Sequence, residues 1–180
     1  MKKIFIAGFG GQGILFTGKF IAYAAMLEGK EVTWLPAYGA ESRGGTSNCH
    51  VIISEKPIGS PVVQSPDVLI CMNLPSLDKF EKNLAQGGAL YIDDSMVTRK
   101  TSREDVKTHY VPATKLAFDN SLDGLANMIM LGAAIRESGL CSREIITETM
   151  GKVISERKKE MYENNLKAVN IGLEFKEGEN

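Results

Sequence analysis

Residues Gly8-Phe-Gly-Gly-Gln-Gly13 follow a short apolar run, Lys2 to Ala7, and precede Ile14, Leu15, Gly18, Ile21, Ala22 and Ala25, which recur at helical spacing up to Leu27. Such a run is what a strand covered on both faces shows, and the change to a 3.6-residue period predicts a β-turn-α unit. Gly8, Gly10 and Gly13 have the spacing of the dinucleotide fingerprint: one glycine permits the tight turn, one lets a phosphate approach the backbone, and one lets helix and strand pack closely. The feature confines the chain to open α/β sheets, whose ligands gather outside the carboxyl ends of the strands.

The rest of the chain continues the alternation. Glu31 to Leu35 predicts a second strand stopped by Pro36. Thr46 to Ser54 predicts a third, with the turn Glu55 to Gly59 and a short hairpin partner at Pro61-Val-Val63. Val68 to Met72 reads as a buried strand, with Ser76 as the N-cap of a helix over Leu77 to Leu84. Ala89 to Ile92 and Val106 to Val111 are further strands, the second leading into a helix at Ala113 to Phe118. Helices follow at Leu125 to Glu137, after the cap Ser142, and at Glu156 to Phe175, and Ala126, Gly132, Ala133 and Ala134 suit close packing. The expectation is a Rossmann-like α/β fold: a mostly parallel open sheet, helices on both faces and a helical C-terminal third. At 180 residues and 43% hydrophobic content, one core is filled, which predicts a single domain over residues 1–176 and a disordered tail at 177–180.

Composition narrows the function. Lys plus Arg total 21 against 22 Asp plus Glu, a formal net charge of −1, so no long-range field draws in nucleic acid or an anionic membrane. No run approaches a membrane span, and the Ile4 to Ala7 run is too short for a signal peptide, so a soluble cytoplasmic protein is expected. Cys49, Cys71 and Cys141 lie far apart with no Cys-x-x-Cys, which predicts small buried hydrophobes and no metal centre on this chain.

A second glycine-rich segment, Tyr38-Gly-Ala-Glu-Ser-Arg-Gly-Gly45, offers an aromatic face, a carboxylate, a guanidinium fork and bare amides. Two readings stand together: Glu41 and Arg43 brace the sheet edge, or the loop recognises an anion or another protein. For the first loop, glycines that merely permit tight packing compete with a phosphate-friendly turn, and Gln12 is hard to explain by packing alone. A resident nicotinamide or flavin nucleotide requires an acid at the end of the second strand, where the chain has Trp34-Leu-Pro36. His50 and His109 read as satisfied strand residues, Asp93 and Asp94 are adjacent at a strand end, and no catalytic residue is assigned.

The two glycine-rich segments, the Thr46 to Ser60 stretch, Pro66-Asp-Val-Leu-Ile-Cys-Met-Asn73 with Leu74 to Phe80, and the Gly132-Ala-Ala134 region together resemble the gamma subunit of the 2-oxoacid:ferredoxin oxidoreductases over nearly the whole chain. The resemblance implies a multi-subunit enzyme that oxidatively decarboxylates a 2-oxoacid, 2-oxoglutarate ahead of pyruvate and branched-chain oxoacids, with coenzyme A to an acyl-CoA, carbon dioxide and reduced ferredoxin. It implies that thiamine diphosphate, magnesium and iron–sulfur clusters are held by alpha, beta and ferredoxin-like delta subunits, and that the gamma chain is a Rossmann-like lid concerned with coenzyme A access and assembly. By the same resemblance Gly8, Gly10, Gly11, Gln12 and Gly13 form the phosphate-approach turn. Tyr38, Gly39, Glu41, Ser42, Arg43, Gly44 and Gly45 face coenzyme A or the partner subunits, with Arg43 the first choice for an anion contact. Alone, such a chain is expected to be inactive and to self-associate, for instance as a homodimer. The competing class is an independent NAD-, FAD- or ATP-dependent enzyme.

Overall fold

A computed structural model of the chain describes residues 1–38, 46–155 and 157–178. The expectations for Gly39, Glu41, Ser42, Arg43, Gly44 and Gly45, for the Tyr38 side chain and for residues 179–180 therefore lie outside the described residues.

The strands are β1 (Lys2–Phe9), β2 (Glu31–Tyr38), β3 (Thr46–Ser54), β4 (Val68–Cys71), β5 (Ala89–Asp93) and β6 (Lys107–Val111). They form one sheet in the order β2-β3-β1-β4-β5-β6. β1, β4, β5 and β6 pair in parallel, whereas β3 is antiparallel to both β1 and β2. The α/β expectation holds, with β3 as the one reversed strand. The segment between β2 and β3 is too short for the crossover of about a dozen residues that a parallel return needs, so the chain must turn straight back. β2 is thereby displaced to the sheet edge, and it runs through Pro36 rather than stopping there. An edge strand tolerates a residue with no N–H to donate.

Alternation within the strands divides the core into two layers. Ile4, Ile6, Val51, Val68, Ile70 and Tyr91 face α1 (Ile14–Leu27), α3 (Ala113–Asp119), α4 (Ala126–Ser138), α5 (Ile145–Val153) and α6 (Lys159–Glu174). Phe5, Ala7, Ile52, Leu69, Leu90 and Ile92 face a thinner layer containing α2 (Leu74–Phe80) and the 3-10 turn Glu81–Asn83. Gly29, at φ 74°, ends α1, with its amide and that of Lys30 closing on the carbonyls of Met26 and Ala25.

Three local expectations are corrected. Asn73, not Ser76, caps α2: its Oδ1 accepts the Ser76 N–H at 2.9 Å, because the helix starts directly after β4. Residues Pro61 to Val63 form no strand; the Val63 N–H is taken by His50 Nδ1 at 3.0 Å instead. Ser142 caps no helix: its amide is held by Glu28 Oε1 at 2.7 Å, tying the turn after α4 to the end of α1. The last helix begins at Lys159, and Glu177 and Gly178 form a turn.

α4 and α6 cross at Gly132 and Gly172. A Cβ on Gly132 would come closer than 3 Å to the Val169 carbonyl and one on Gly172 closer than 3 Å to the Ile129 carbonyl, so the backbones touch only because both side chains are hydrogen.

Candidate functional site

The turn after β1 is closed by its own atoms. The Gln12 amide donates to the Phe9 carbonyl at 3.1 Å, and the Gln12 side chain folds back so that Oε1 accepts the Phe9 N–H at 2.7 Å. The same Oε1 accepts Asn73 Nδ2 at 3.1 Å, while Gln12 Nε2 donates to the Met72 carbonyl at 3.1 Å. Gln12 thus ties the β1-α1 turn to the β4-α2 turn, which is why a polar side chain sits among glycines. Gly11, at φ 97°, has open space where a Cβ would stand, whereas Gly8 is filled from within by Ile14 and Gln12.

Gly13 completes the turn at φ 72°, with Asn127 packed where its Cβ would be. Asn127 Nδ2 donates to the Gly13 carbonyl at 3.2 Å and to Thr17 Oγ1 at 3.0 Å. Since a carbonyl can only accept, these bonds fix which end of the amide is which. Asn127 Oδ1 is left buried with no partner, on a residue only 4% exposed. The sequence reading missed Asn127; the signal was one carboxamide inside the apolar α4 run.

Gly11, Gln12, Met72, Thr114, Phe118 and Asn127 are among the residues that line a cleft of about 220 Å³ at the carboxyl ends of β1 and β4. Phe118 stands at its edge, 73% exposed. Asp123 is the one charged residue in the described lining, so these walls offer acceptors and no cation. Asp93, the last residue of β5, is fully buried and accepts Thr114 Oγ1 at 2.6 Å and the amides of Thr114 and Ser95. Burial raises its pKa, against the pull of those bonds. It latches β5 to the start of α3 and is not a free acid.

The second glycine-rich segment leaves β2 after Tyr38 and re-enters the sheet at Thr46. Tyr38 pairs with Ser47, Ser47 with Gly8, and Thr46 with Phe9. Both ends of that segment are therefore anchored beside the first turn, at one end of the sheet. With β3 lying between β1 and β2, the end of β2 is not adjacent to β1, and it carries Pro36-Ala-Tyr38 in place of the ribose-binding acid.

The remaining candidates are structural. Burial pushes the Cys49 thiol up to about 12 and that of Cys141 likewise to about 12; Cys71 is buried and raised as well. Thiols this hard to ionise are poor nucleophiles. His109 stacks on Tyr91 at a centroid distance of 4.8 Å. Among the described residues no group of three or more His, Cys, Asp or Glu could hold a metal ion, and no helix is long and apolar enough to cross a membrane.

Fold and site together define an open α/β protein with a glycine-rich turn and a small cleft at the carboxyl end of its sheet. Residues 3–175 match the family described as pyruvate ferredoxin/flavodoxin oxidoreductase, and the chain belongs to that family. It is 41% identical over 96% of its length to the ketoisovalerate oxidoreductase subunit VorA of Methanothermobacter thermautotrophicus, of which it spans only 36%. It is 36% identical over 96% of its length to the 2-oxoglutarate synthase subunit KorC of Methanocaldococcus jannaschii, spanning 92% of that protein. The crystal structure of a keto/oxoacid ferredoxin oxidoreductase gamma subunit from Geobacter sulfurreducens superimposes with a TM-score of 0.81 at 29% identity, covering 97% of each chain.

Proposed function

We propose that this chain is the gamma-type subunit of a cytoplasmic 2-oxoacid:ferredoxin oxidoreductase that converts a 2-oxoacid and coenzyme A to an acyl-CoA and carbon dioxide. The observation that carries the reading is the end-to-end match to KorC, a protein named as a subunit of 2-oxoglutarate synthase. It favours 2-oxoglutarate as substrate; the higher identity to VorA makes a branched-chain 2-oxoacid the second to assay. The family assignment supports this subunit over an independent nucleotide-dependent enzyme.

In this reading alpha, beta and delta subunits hold thiamine diphosphate, magnesium and the iron–sulfur clusters. The scattered, hard-to-ionise thiols of this chain do not fit a cluster. The role left to this chain is to admit and position coenzyme A and to close the assembly. The described cleft, at about 220 Å³, falls below the roughly 300–1,000 Å³ of a site that encloses a whole ligand, so it takes one part of coenzyme A. Its acceptors suit the N–H and O–H groups of the pantetheine arm. The phosphates then belong over Gly10 and Gly11, with Arg43 supplying the positive charge that the cleft lacks.

The test is affinity purification of the chain from its native cells, with identification of copurifying proteins and assay of 2-oxoacid- and coenzyme A-dependent viologen reduction. Copurification with thiamine- and cluster-bearing chains, with activity, is expected. A solitary chain carrying bound nucleotide would overturn the reading. Arg43→Glu is expected to raise the KM for coenzyme A at least tenfold with assembly intact, since a charge-assisted phosphate contact is worth about 1.5–3 kcal/mol; an unchanged KM removes Arg43 from the site.

A further inference from the structure

The thinner layer of the sheet contains a second cavity, of about 430 Å³, within the range of sites that enclose a small ligand. α2 reaches across this face only as far as Phe80, whose ring lies 4.7 Å from that of Phe5. Past that contact the β3 side chains Asn48 and His50 form the floor, and residues 63–66 form the far wall. The cavity and the glycine-turn cleft lie on opposite faces, since Met72, which lines the cleft, belongs to the helical layer.

All the polar groups here but one are uncharged. The Val63 N–H donates to His50 Nδ1 at 3.0 Å, so the neutral imidazole carries its proton on Nε2, a donor with no partner among the described residues. Burial lowers the His50 pKa and keeps it neutral at pH 7. The carboxamides of half-buried Asn48 and of exposed Gln64 and Asn83 line the cavity with no hydrogen-bond partner among the described residues, which leaves them open to a ligand. Lys79 supplies the one formal charge in the lining, with its ammonium 5.2 Å from the centre of the Phe80 ring, and no carboxylate faces it there.

We propose that this cavity is a binding site for a flat heteroaromatic ring bearing one anionic group, the chemistry of a nucleoside monophosphate. Carboxamides pair donor and acceptor with the edge of such a ring, Phe5 and Phe80 give it an apolar wall, and Lys79 meets the anion. The site shares no residue with the glycine-turn cleft, so its occupancy is tested separately from the proposed coenzyme A contact.

The experiment is a titration of the full, isotope-labelled chain with AMP, adenosine and inorganic phosphate, followed by amide NMR. AMP is expected to saturate about tenfold more tightly than adenosine, the factor one charge-assisted contact provides, and to shift Val63 and the Asn83 side chain while Gly11 and Gly13 stay in place. Lys79→Ala should bring AMP to the affinity of adenosine, and Asn83→Leu should weaken both, with unchanged urea midpoints. Absence of saturable binding, shifts centred on Gly11 to Gly13, or AMP affinity indifferent to Lys79→Ala would each overturn the proposal. Such a failure leaves the viologen assay of the assembled enzyme unaffected, so the two readings fail separately.

Discussion

Replacing Gln12 by alanine tests whether this side chain is a structural clasp. Three hydrogen bonds end on it: from the Phe9 amide, from Asn73 Nδ2, and to the Met72 carbonyl, at 2.7, 3.1 and 3.1 Å. Each is worth about 0.5–1.5 kcal/mol net. Met72 and Asn73 are buried, whereas Gln12 itself is half-exposed and water can re-solvate the Phe9 side. The expected cost is therefore roughly 2–3 kcal/mol, in the middle of the summed range. With a urea slope of about 2 kcal/mol per molar, the midpoint should fall by about 1 M, and the Phe9 amide should exchange faster. A double-mutant cycle with Asn73→Ala isolates the pair: that substitution alone also removes the α2 cap, worth about 1 kcal/mol. In the Gln12→Ala background it should cost little beyond the cap. An unchanged urea midpoint and an unchanged Phe9 exchange rate for Gln12→Ala would refute the clasp and return Gln12 to the ligand-contact reading.

Gly172→Ala forces a methyl into the Ile129 carbonyl, and a thermal midpoint lowered by the equivalent of about 3 kcal/mol is expected. Gly151→Ala, in open space on α5, should instead gain roughly 0.5–1 kcal/mol; equal effects would contradict the tight crossing. His50 and His109 are both held below the ordinary histidine value by burial. Their neutral forms contribute stability that is fully present above pH 6.5 and lost as pH falls through the depressed values, so urea midpoints should drop as the pH falls below 6.5. His109→Phe, which keeps the stacking on Tyr91, should flatten that slope, and a slope unaltered after replacing both histidines would disprove the linkage. For Glu81, burial acts against ionisation, but hydrogen bonds from Arg99 and Thr101 outweigh it and hold the carboxyl below its usual range. Its stabilisation should be lost as pH falls below 4.5, and Glu81→Gln should speed proteolysis within residues 99–105; unchanged cleavage would show that the loop is held by other means.

The periodicities of the sequence located every strand and most helices, because an apolar run and a 3.6-residue repeat follow directly from which faces are buried. The reversal of β3 was not visible in them, since a buried strand reads alike in either direction; the short 39–45 connection was the informative clue. Capping was misassigned where a tertiary partner outbid the local one. Ser142 has the right composition for a cap, yet its amide serves Glu28 from the far end of α1. Asn127 meets Gly13 across 114 residues, a distance at which no local pattern carries information, and only its oddity within α4 marks it.

The division of labour around the glycine turn follows from what each residue has left to offer. Gln12 has spent its carboxamide on the turn itself, Gly8 and Gly13 are filled from within by Ile14 and Asn127, and Gly11 is open to solvent. What remains outward is backbone together with an acceptor-lined cleft whose only described charge is negative. Such a surface has weak selectivity for an anion by itself, because first-turn amides contribute a partial charge that solvent screens. An anionic substrate is held there only if a full positive charge arrives from the adjoining 39–45 segment or from another chain. Both ends of that segment are registered against β1 through the Tyr38–Ser47 and Thr46–Phe9 pairs. Inverting β3 is therefore what anchors Tyr38 and Thr46 at this end of the sheet, and the same inversion removes β2 from the place where a resident dinucleotide would need its acid.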